Sequence, residues 1–446
     1  MESVLMTANP VSLPREADSA AGRVVPVSFS IARILLMGTL LAAPLAFGAV
    51  EPWAWATLAA VAALLLLLWA AANIQQQRLK VFWQPLYFPA ALFFLLGFVQ
   101  YTSQLSLDSY ATWESLIKLA TDLVFFFLAG QLLVTEPAKT WKRIGLVVTL
   151  YAFAVSLFAT IQFFSSHGLI YWSVKTHGWI FGPYVNHNDY AGLLEMLIPI
   201  AAVYVLSQPQ EYDARRLLAF GVLISICSVL LSGSRGGSIA ILIECLLLGV
   251  VFLKRAGKSW QKSLAATMML GLAATALLFF WLAPARISRR LETSASMTHS
   301  PEVTLGERWA VWEDSLKIVR NHFLRGTGLG SYRAVFPQYQ SFASDLVWDH
   351  AHNDYVEALA ECGVAGGLLM LAAVGLFFHS AFGNLRECLQ SASGAIQLGA
   401  GIGCCGLLVH SLSDFNLHIP ANAAWFAFCL GTSTLRIHGR KCRQGE

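Results

Sequence analysis

Long apolar runs recur along this chain, and no other feature constrains its fold as strongly. A helix needs about 20 consecutive apolar residues to cross the hydrocarbon core of a bilayer. Twelve stretches approach or reach that length. They are Ile31–Val50, Pro52–Ala72, Pro85–Tyr101, Leu116–Val134, Ile144–Phe164, Tyr190–Leu206, Leu217–Leu231, Ser238–Leu253, Leu264–Ala283, Asp354–Phe382, Ile396–Leu412 and Ile419–Leu435. Only Ser232–Gly237 parts the seventh from the eighth. With 56% of residues hydrophobic and 13% charged, a soluble core cannot hide this much apolar surface. The chain is therefore expected to be an all-α polytopic membrane protein with about 12 transmembrane helices. A cytosolic enzyme, a disulfide-rich secreted domain and a disordered scaffold are excluded. Met1–Ser30 is polar and mixed, so no cleavable signal peptide is expected.

Lys and Arg in short loops set the orientation. With the N-terminus in the cytoplasm, nineteen of the thirty basic residues fall on cytoplasmic segments. The short loops opposite hold only Lys118, Lys175 and Arg235. The remaining eight lie in Pro284–Ala351, a loop too long for the rule to bind strongly. Both termini are expected to be cytoplasmic. The eight cysteines lie in spans or cytoplasmic segments, where no disulfide is expected.

The expected organisation is a cytoplasmic tail over 1–30, nine spans over 31–283, an exported loop over 284–351, three spans over 352–438 and a short tail over 439–446. Two exported segments stand out: Ser165–Asn188, rich in aromatics, Gly and His, and the 68-residue loop Pro284–Ala351. Within the loop, Leu305 to His322 reads as an amphipathic helix with Trp309, Trp312, Leu316 and Val319 on one face. Gly326-Thr327-Gly328-Leu329-Gly330 breaks it, and Tyr332 to Phe342 reads as a second short helix. The glycine run lacks the strand, the spacing and the Lys-Ser/Thr of nucleotide-binding loops, so a helix cap and tight turn is expected.

His-Asn-Asp-Tyr occurs twice, at His187–Tyr190 and His352–Tyr355, each time opening a span. Capping by Asn and Asp accounts for the first copy as well as a site does. His350-Ala351-His352-Asn353-Asp354 has the H-x-H-x-D form of a hydrolase metal motif, but Tyr355 stands where a further His is expected and no D-x-D pair accompanies it. No metal site and no cofactor are expected. Arg235 sits between two spans among glycines. An Arg at such depth calls for an anionic partner, phosphate included, or else snorkels to lipid headgroups.

Together these residues resemble the O-antigen ligase and O-antigen polymerase superfamily of bacterial envelopes. The resemblance is densest from Gly182 to Gly367. It rests on His352-Asn353, nine residues, then Gly363-Val364-Ala365-Gly366; on Ser232 to Gly236; on Gly306-Glu307-Arg308-Trp309; and on Asn321-His322 with the glycine run, where Phe323 replaces the usual Pro. It implies a metal-independent inverting glycosyltransferase of the bacterial inner membrane. Such an enzyme moves a glycan from undecaprenyl diphosphate onto an acceptor hydroxyl, here a lipid A–core sugar, at the periplasmic face. The implied partners are the lipid-linked donor, the acceptor and membrane lipid, with no nucleic acid. Polymerisation of lipid-linked repeats is the alternative within the family. The residue types agree: Arg235 and Arg308 suit a diphosphate, and His352 suits a general base. His187, Asn188, Asn353, His350 and Tyr355 are the expected substrate-binding residues. Asp122, Glu195, Glu244, Glu357 and Glu361, within or near spans, leave a small-anion transporter as a reading of another class.

Overall fold

The computed structural model describes residues 27–77, 79, 81–176, 178–209, 214–255, 305–344, 347–383 and 391–435. Thirteen α-helices run in chain order: α1 Val27–Ala42, α2 Pro52–Gln75, α3 Tyr87–Thr102, α4 Ser109–Leu133, α5 Ala138–Ser165, α6 His187–Ser207, α7 Ala214–Ser232, α8 Arg235–Arg255, α9 Leu305–Asn321, α10 Tyr332–Val335, α11 Asp354–Phe382, α12 Ala392–His410 and α13 Pro420–Ser433. No strand forms among the described residues beyond two isolated bridges. The chain is an all-α polytopic membrane protein.

Among the described residues, nine helices are long and apolar enough to cross a membrane: α1 (extended to Leu45), α2, α4 to α8, α11 and α12. The third expected span is the shorter α3, and the twelfth is α13, of 14 residues. Pro420 starts α13 late, because a proline is welcome only in a helix's first turn. The ninth expected span, Leu264–Ala283, lies outside the described residues.

The centre of the bundle is α6 against α12, each almost wholly buried. Two glycines one turn apart make this possible. A Cβ on Gly399 would meet the backbone of Pro199 and Ile200, and one on Gly403 the backbone of Met196. Small residues four apart are how helices approach where no hydrophobic effect drives them together.

One end of the bundle carries the non-membrane structure. The amphipathic helix α9 is where the sequence places it, but turned. Its inner face is Val311, Asp314, Ser315 and Ile318, which close on Tyr332, Phe336 and Trp348. Trp309 and Leu316, expected inside, are 61% and 53% exposed. The second loop helix is also shorter than expected: α10 is one turn, continued by a 3₁₀ turn at Phe336–Gln338.

The glycine run does more than cap. Helix α11 is broken at Gly363, whose φ of 62° and ψ of −167° suit only glycine. The break frees two carbonyls and an amide that an unbroken helix would use. Thr327 N–H donates to Ala360 O at 3.0 Å, Gly328 N–H to Glu361 O at 2.9 Å, and Val364 N–H to Phe323 O at 2.8 Å. Gln100 of α3 donates to Glu361 O at 2.8 Å and accepts from Leu329 N–H at 3.1 Å. The loop is thus sewn onto α11 and α3 by backbone bonds, and buried polar groups are satisfied.

Candidate active site

Helix α12 ends at His410, and a polar connector, Ser411 to His418, leads to α13. Everything of chemical interest gathers on this connector. Asn353 caps α11, its Oδ1 accepting from Tyr355 and Val356 N–H at 3.0 and 3.1 Å. Its Nδ2 donates to Leu412 O at 2.9 Å, Asp354 N–H donates to Ser411 O at 3.0 Å, and Tyr355 O–H donates to Leu408 O at 2.7 Å. The motif's Asn and Tyr therefore clamp α11 onto the end of α12, and their polar groups are engaged within the protein.

That clamp leaves His352 in left-handed backbone, with φ of 49°. A non-glycine residue there is strained, and such strain concentrates at functional sites. Its ring lies edge-on to Trp348 and Phe415, with centroids 5.9 and 5.0 Å away. His352 Nδ1 is 3.5 Å from Asp414 Oδ1. This is ion-pair reach, and long for a hydrogen bond. Asp414 is fully buried. Burial alone would raise its carboxyl, but His352, His410 and Arg308 together hold it well below the usual carboxylate range. A carboxylate thus stands behind the histidine.

Arg308, from the first turn of α9, donates from Nη1 to Ser413 O at 2.6 Å. Its Nε is buried and has no protein partner among the described residues. Arg235 opens α8 and is exposed. Ser234 Oγ accepts from Gly237 N–H at 3.1 Å, and Gly236 lets this helix start lie against His410 and Ser413, where a Cβ would collide with both. The Ser-x-Ser-Arg-Gly element thus brings an N-terminal helix turn and its arginine to the connector that Arg308 grips. Such a turn favours anions.

The first His-Asn-Asp-Tyr copy is not equivalent to the second. Its cap is Asn186, which accepts from Asn188 N–H at 2.9 Å, so the helix begins at the histidine itself. The His187 ring lies 4.8 Å from Trp179, with Asp414, Arg308 and His410 in its electrostatic surroundings. Asn188 is buried, and Asp189 O accepts from Asn422 Nδ2 at 2.8 Å. His187 reaches the site; Asn188 to Tyr190 serve chiefly to pack α6.

The H-x-H-x-D triple does not converge. His352 faces Asp414, while Asp354 Oδ1 lies 2.9 Å from His418 Nδ1. His350 pairs instead with Glu357, Nδ1 to Oε1 at 2.8 Å, and the same oxygen lies 3.2 Å from His418 Nε2. Among the described residues, those grouped so that they could hold a metal are His350, Glu357 and His418, with one ligand atom from each within 4.8 Å of the others.

Two cavities meet here. One of about 390 Å³ is lined by His352, His350, His418, Lys118, Asp349 and Phe415. The other, about 700 Å³, is a mainly apolar slot whose walls include Phe93, Leu119, Phe126, Met370, Phe377 and Phe426. Lys118, Asp349, His350 and His418 line both.

Sequence reasoning missed Asp414, His410 and His418. The signal was present in His410-Ser411-Leu412-Ser413-Asp414-Phe415-Asn416-Leu417-His418, a polar run between two apolar stretches.

Residues 220–371 match the family model described as O-antigen ligase. Over those residues the chain is similar to this family's domain. The matched segment includes Arg235, Arg308, His350, His352 and Asn353 and ends before the connector that holds Asp414 and His418. The search of curated proteins found no match to the chain. The match supports, broadly, a membrane enzyme that processes lipid-linked glycans.

Proposed function

We propose that this O-antigen ligase-family protein is an inverting glycosyltransferase that moves a glycan from undecaprenyl diphosphate to a hydroxyl of lipid A–core. The reaction is assigned to the periplasmic face of the bacterial inner membrane, with both chain termini in the cytoplasm. The observation that carries the reading is His352, strained, backed by the buried Asp414 carboxylate and facing a cavity.

The acceptor hydroxyl gives its proton to His352 as its oxygen attacks the anomeric carbon. Asp414 stabilises the imidazolium that forms, as a carboxylate behind a histidine does. The bond from that carbon to the phosphate oxygen breaks on the opposite side, which inverts the configuration. The electron pair leaves on the diphosphate, where Arg308, with its unpartnered Nε, and Arg235, at its helix start, offset the charge. His187 borders this group. The apolar slot between α3, α4, α11 and α13 has the volume and lining for part of a polyprenyl tail, and its wall runs to the cavity beside His352. No step requires a metal.

The test uses the purified protein in lipid nanodiscs with a glycan-linked undecaprenyl diphosphate and a lipid A–core acceptor. Transfer to the core sugar with inverted anomeric configuration is expected. Growth of the glycan on the donor lipid, with the core untouched, would replace this reading with polymerisation. No turnover of the donor with any hydroxyl acceptor would overturn it.

A further inference from the structure

We infer that His350, Glu357 and His418 form a binding site for one divalent transition-metal ion of the zinc class, separate from the His352 base. The three ligands come from three segments that the fold brings together: the end of the α9–α11 loop, the first turn of α11 and the turn before α13. One ligand atom from each lies within 4.8 Å of the others, and Glu357 Oε1 is 2.8 Å from His350 Nδ1 and 3.2 Å from His418 Nε2. Two imidazoles and one carboxylate are a borderline-soft set that suits zinc, cobalt or nickel better than magnesium or calcium.

Geometry beyond the three atoms favours a metal over an ordinary ion-pair cluster. Metal-bound histidines are typically oriented by a carboxylate on the other ring nitrogen. His418 has that arrangement, with Nδ1 held 2.9 Å from Asp354 Oδ1, so that Nε2 faces the cluster. Glu357 is fixed likewise: its Oε2 accepts from Ala351 N–H at 2.8 Å, leaving Oε1 between the two imidazoles at 2.8 and 3.2 Å. The 3.2 Å separation is close to the roughly 3.3 Å between ligands of a tetrahedral ion with bonds near 2.0 Å, and the 2.8 Å separation is a hydrogen bond that an ion would replace. His350 is further held by stacking on Phe415 at 4.4 Å. The cluster also borders the 390 Å³ cavity, from which water can supply a fourth ligand.

An ion here would pin the loop before His352 to α11 and to the connector carrying Asp414, while remaining outside the glycosyl-transfer step. The site is independent of the proposed reaction, and its test reads metal rather than transfer.

The intact protein, purified in detergent, is stripped with EDTA, desalted and titrated with zinc chloride against a chromophoric chelator, then with cobalt chloride under absorption spectroscopy. One zinc per chain is expected, together with the intense visible bands of four-coordinate cobalt. His418→Gln and His350→Gln should each weaken zinc by at least about tenfold. Asp354→Asn, which removes only the orienting carboxylate, should weaken it about 10- to 100-fold. His352→Gln should leave the affinity unchanged. Should a ligand variant fail to fold, the wild-type cobalt spectrum still decides. No stoichiometric zinc, a weak octahedral cobalt spectrum, or zinc affinity unaltered in folded His418→Gln and His350→Gln would each overturn the site.

Discussion

His352 and Asp414 face one another across 3.5 Å, although 62 positions separate them in the chain. The first sits in left-handed backbone just before α11, the second in the connector after α12. The clamp of Asn353 on Leu412 holds the two segments in this relation. At 3.5 Å the contact is loose, as catalytic hydrogen bonds often are before substrate arrives. Removing the base and removing its partner should therefore differ. His352→Ala should slow single-turnover transfer by about 100- to 10,000-fold with donor binding largely kept. Asp414→Asn should cost less, because the imidazole remains and loses only orientation and charge support. Equal loss in both, with donor binding abolished, would make the pair a structural tie instead.

Most of the architecture was legible because a bilayer translates into a length requirement, and runs such as Asp354–Phe382 meet it plainly. The failures have physical causes. The Trp309 and Leu316 face of α9 follows helical spacing, but the buried face is set by which side meets Tyr332 and Trp348, and spacing cannot tell. Of the site, His352, Arg308 and Arg235 were visible through motif resemblance. Asp414 and His418 were not, since each acts through partners about sixty residues away, and a short polar connector resembles any other until folded. His350 and His352 looked like a pair by spacing, yet the backbone reversal at His352 turns them to different carboxylates.

Stability should fall on the alkaline side through His418. Burial alone would depress this imidazole, but Glu357, Asp354 and Glu361 outweigh it and push it up to about 10. A histidine raised in the fold contributes stability that is complete below its ordinary value of about 6.5 and lost as pH rises through the folded value. The thermal midpoint in EDTA should therefore decline between about pH 6.5 and pH 10. His418→Gln should flatten that decline while lowering the midpoint at neutral pH. Since the His418 side chain keeps 32% exposure, solvent screening limits the size of the effect. Parallel pH curves for the two proteins would show that the cluster does not couple to folding.

Gly363→Ala should be far more damaging than Gly375→Ala on the same helix. A Cβ at Gly363 would strike the Leu324 carbonyl and the Gly326 amide, at a φ that side chains avoid, whereas Gly375 has nothing nearby. The loss should be at least about 3 kcal/mol, or failure to yield folded protein, because strain and overpacking coincide there. Gly375→Ala should be neutral or slightly stabilising, as Gly to Ala commonly is in a helix. Thermal unfolding of both variants in the same detergent separates them, and similar midpoints would mean that the helix break is not required.

The two arginines should not be equal. Arg308 is partly buried, gripped by Ser413 O and left with an unpartnered Nε, so its guanidinium is held in place before any phosphate arrives. Arg235 is exposed and relies on its helix start for position. A hydrogen bond to a charged group is worth about 1.5–3 kcal/mol, so Arg308→Ala should weaken use of a lipid diphosphate donor by about 10- to 150-fold. Arg308→Lys should recover little, because one ammonium cannot both hold Ser413 O and present a fork to phosphate. Arg235→Ala should lose less, and Arg235→Lys should recover much of it at low salt, where a surface point charge is least screened. The measurement is donor KM and kcat for the four variants at low and high ionic strength. Full activity in Arg308→Lys would reduce Arg308 to a simple positive charge, and a larger loss at Arg235 than at Arg308 would move the diphosphate towards the α8 helix start.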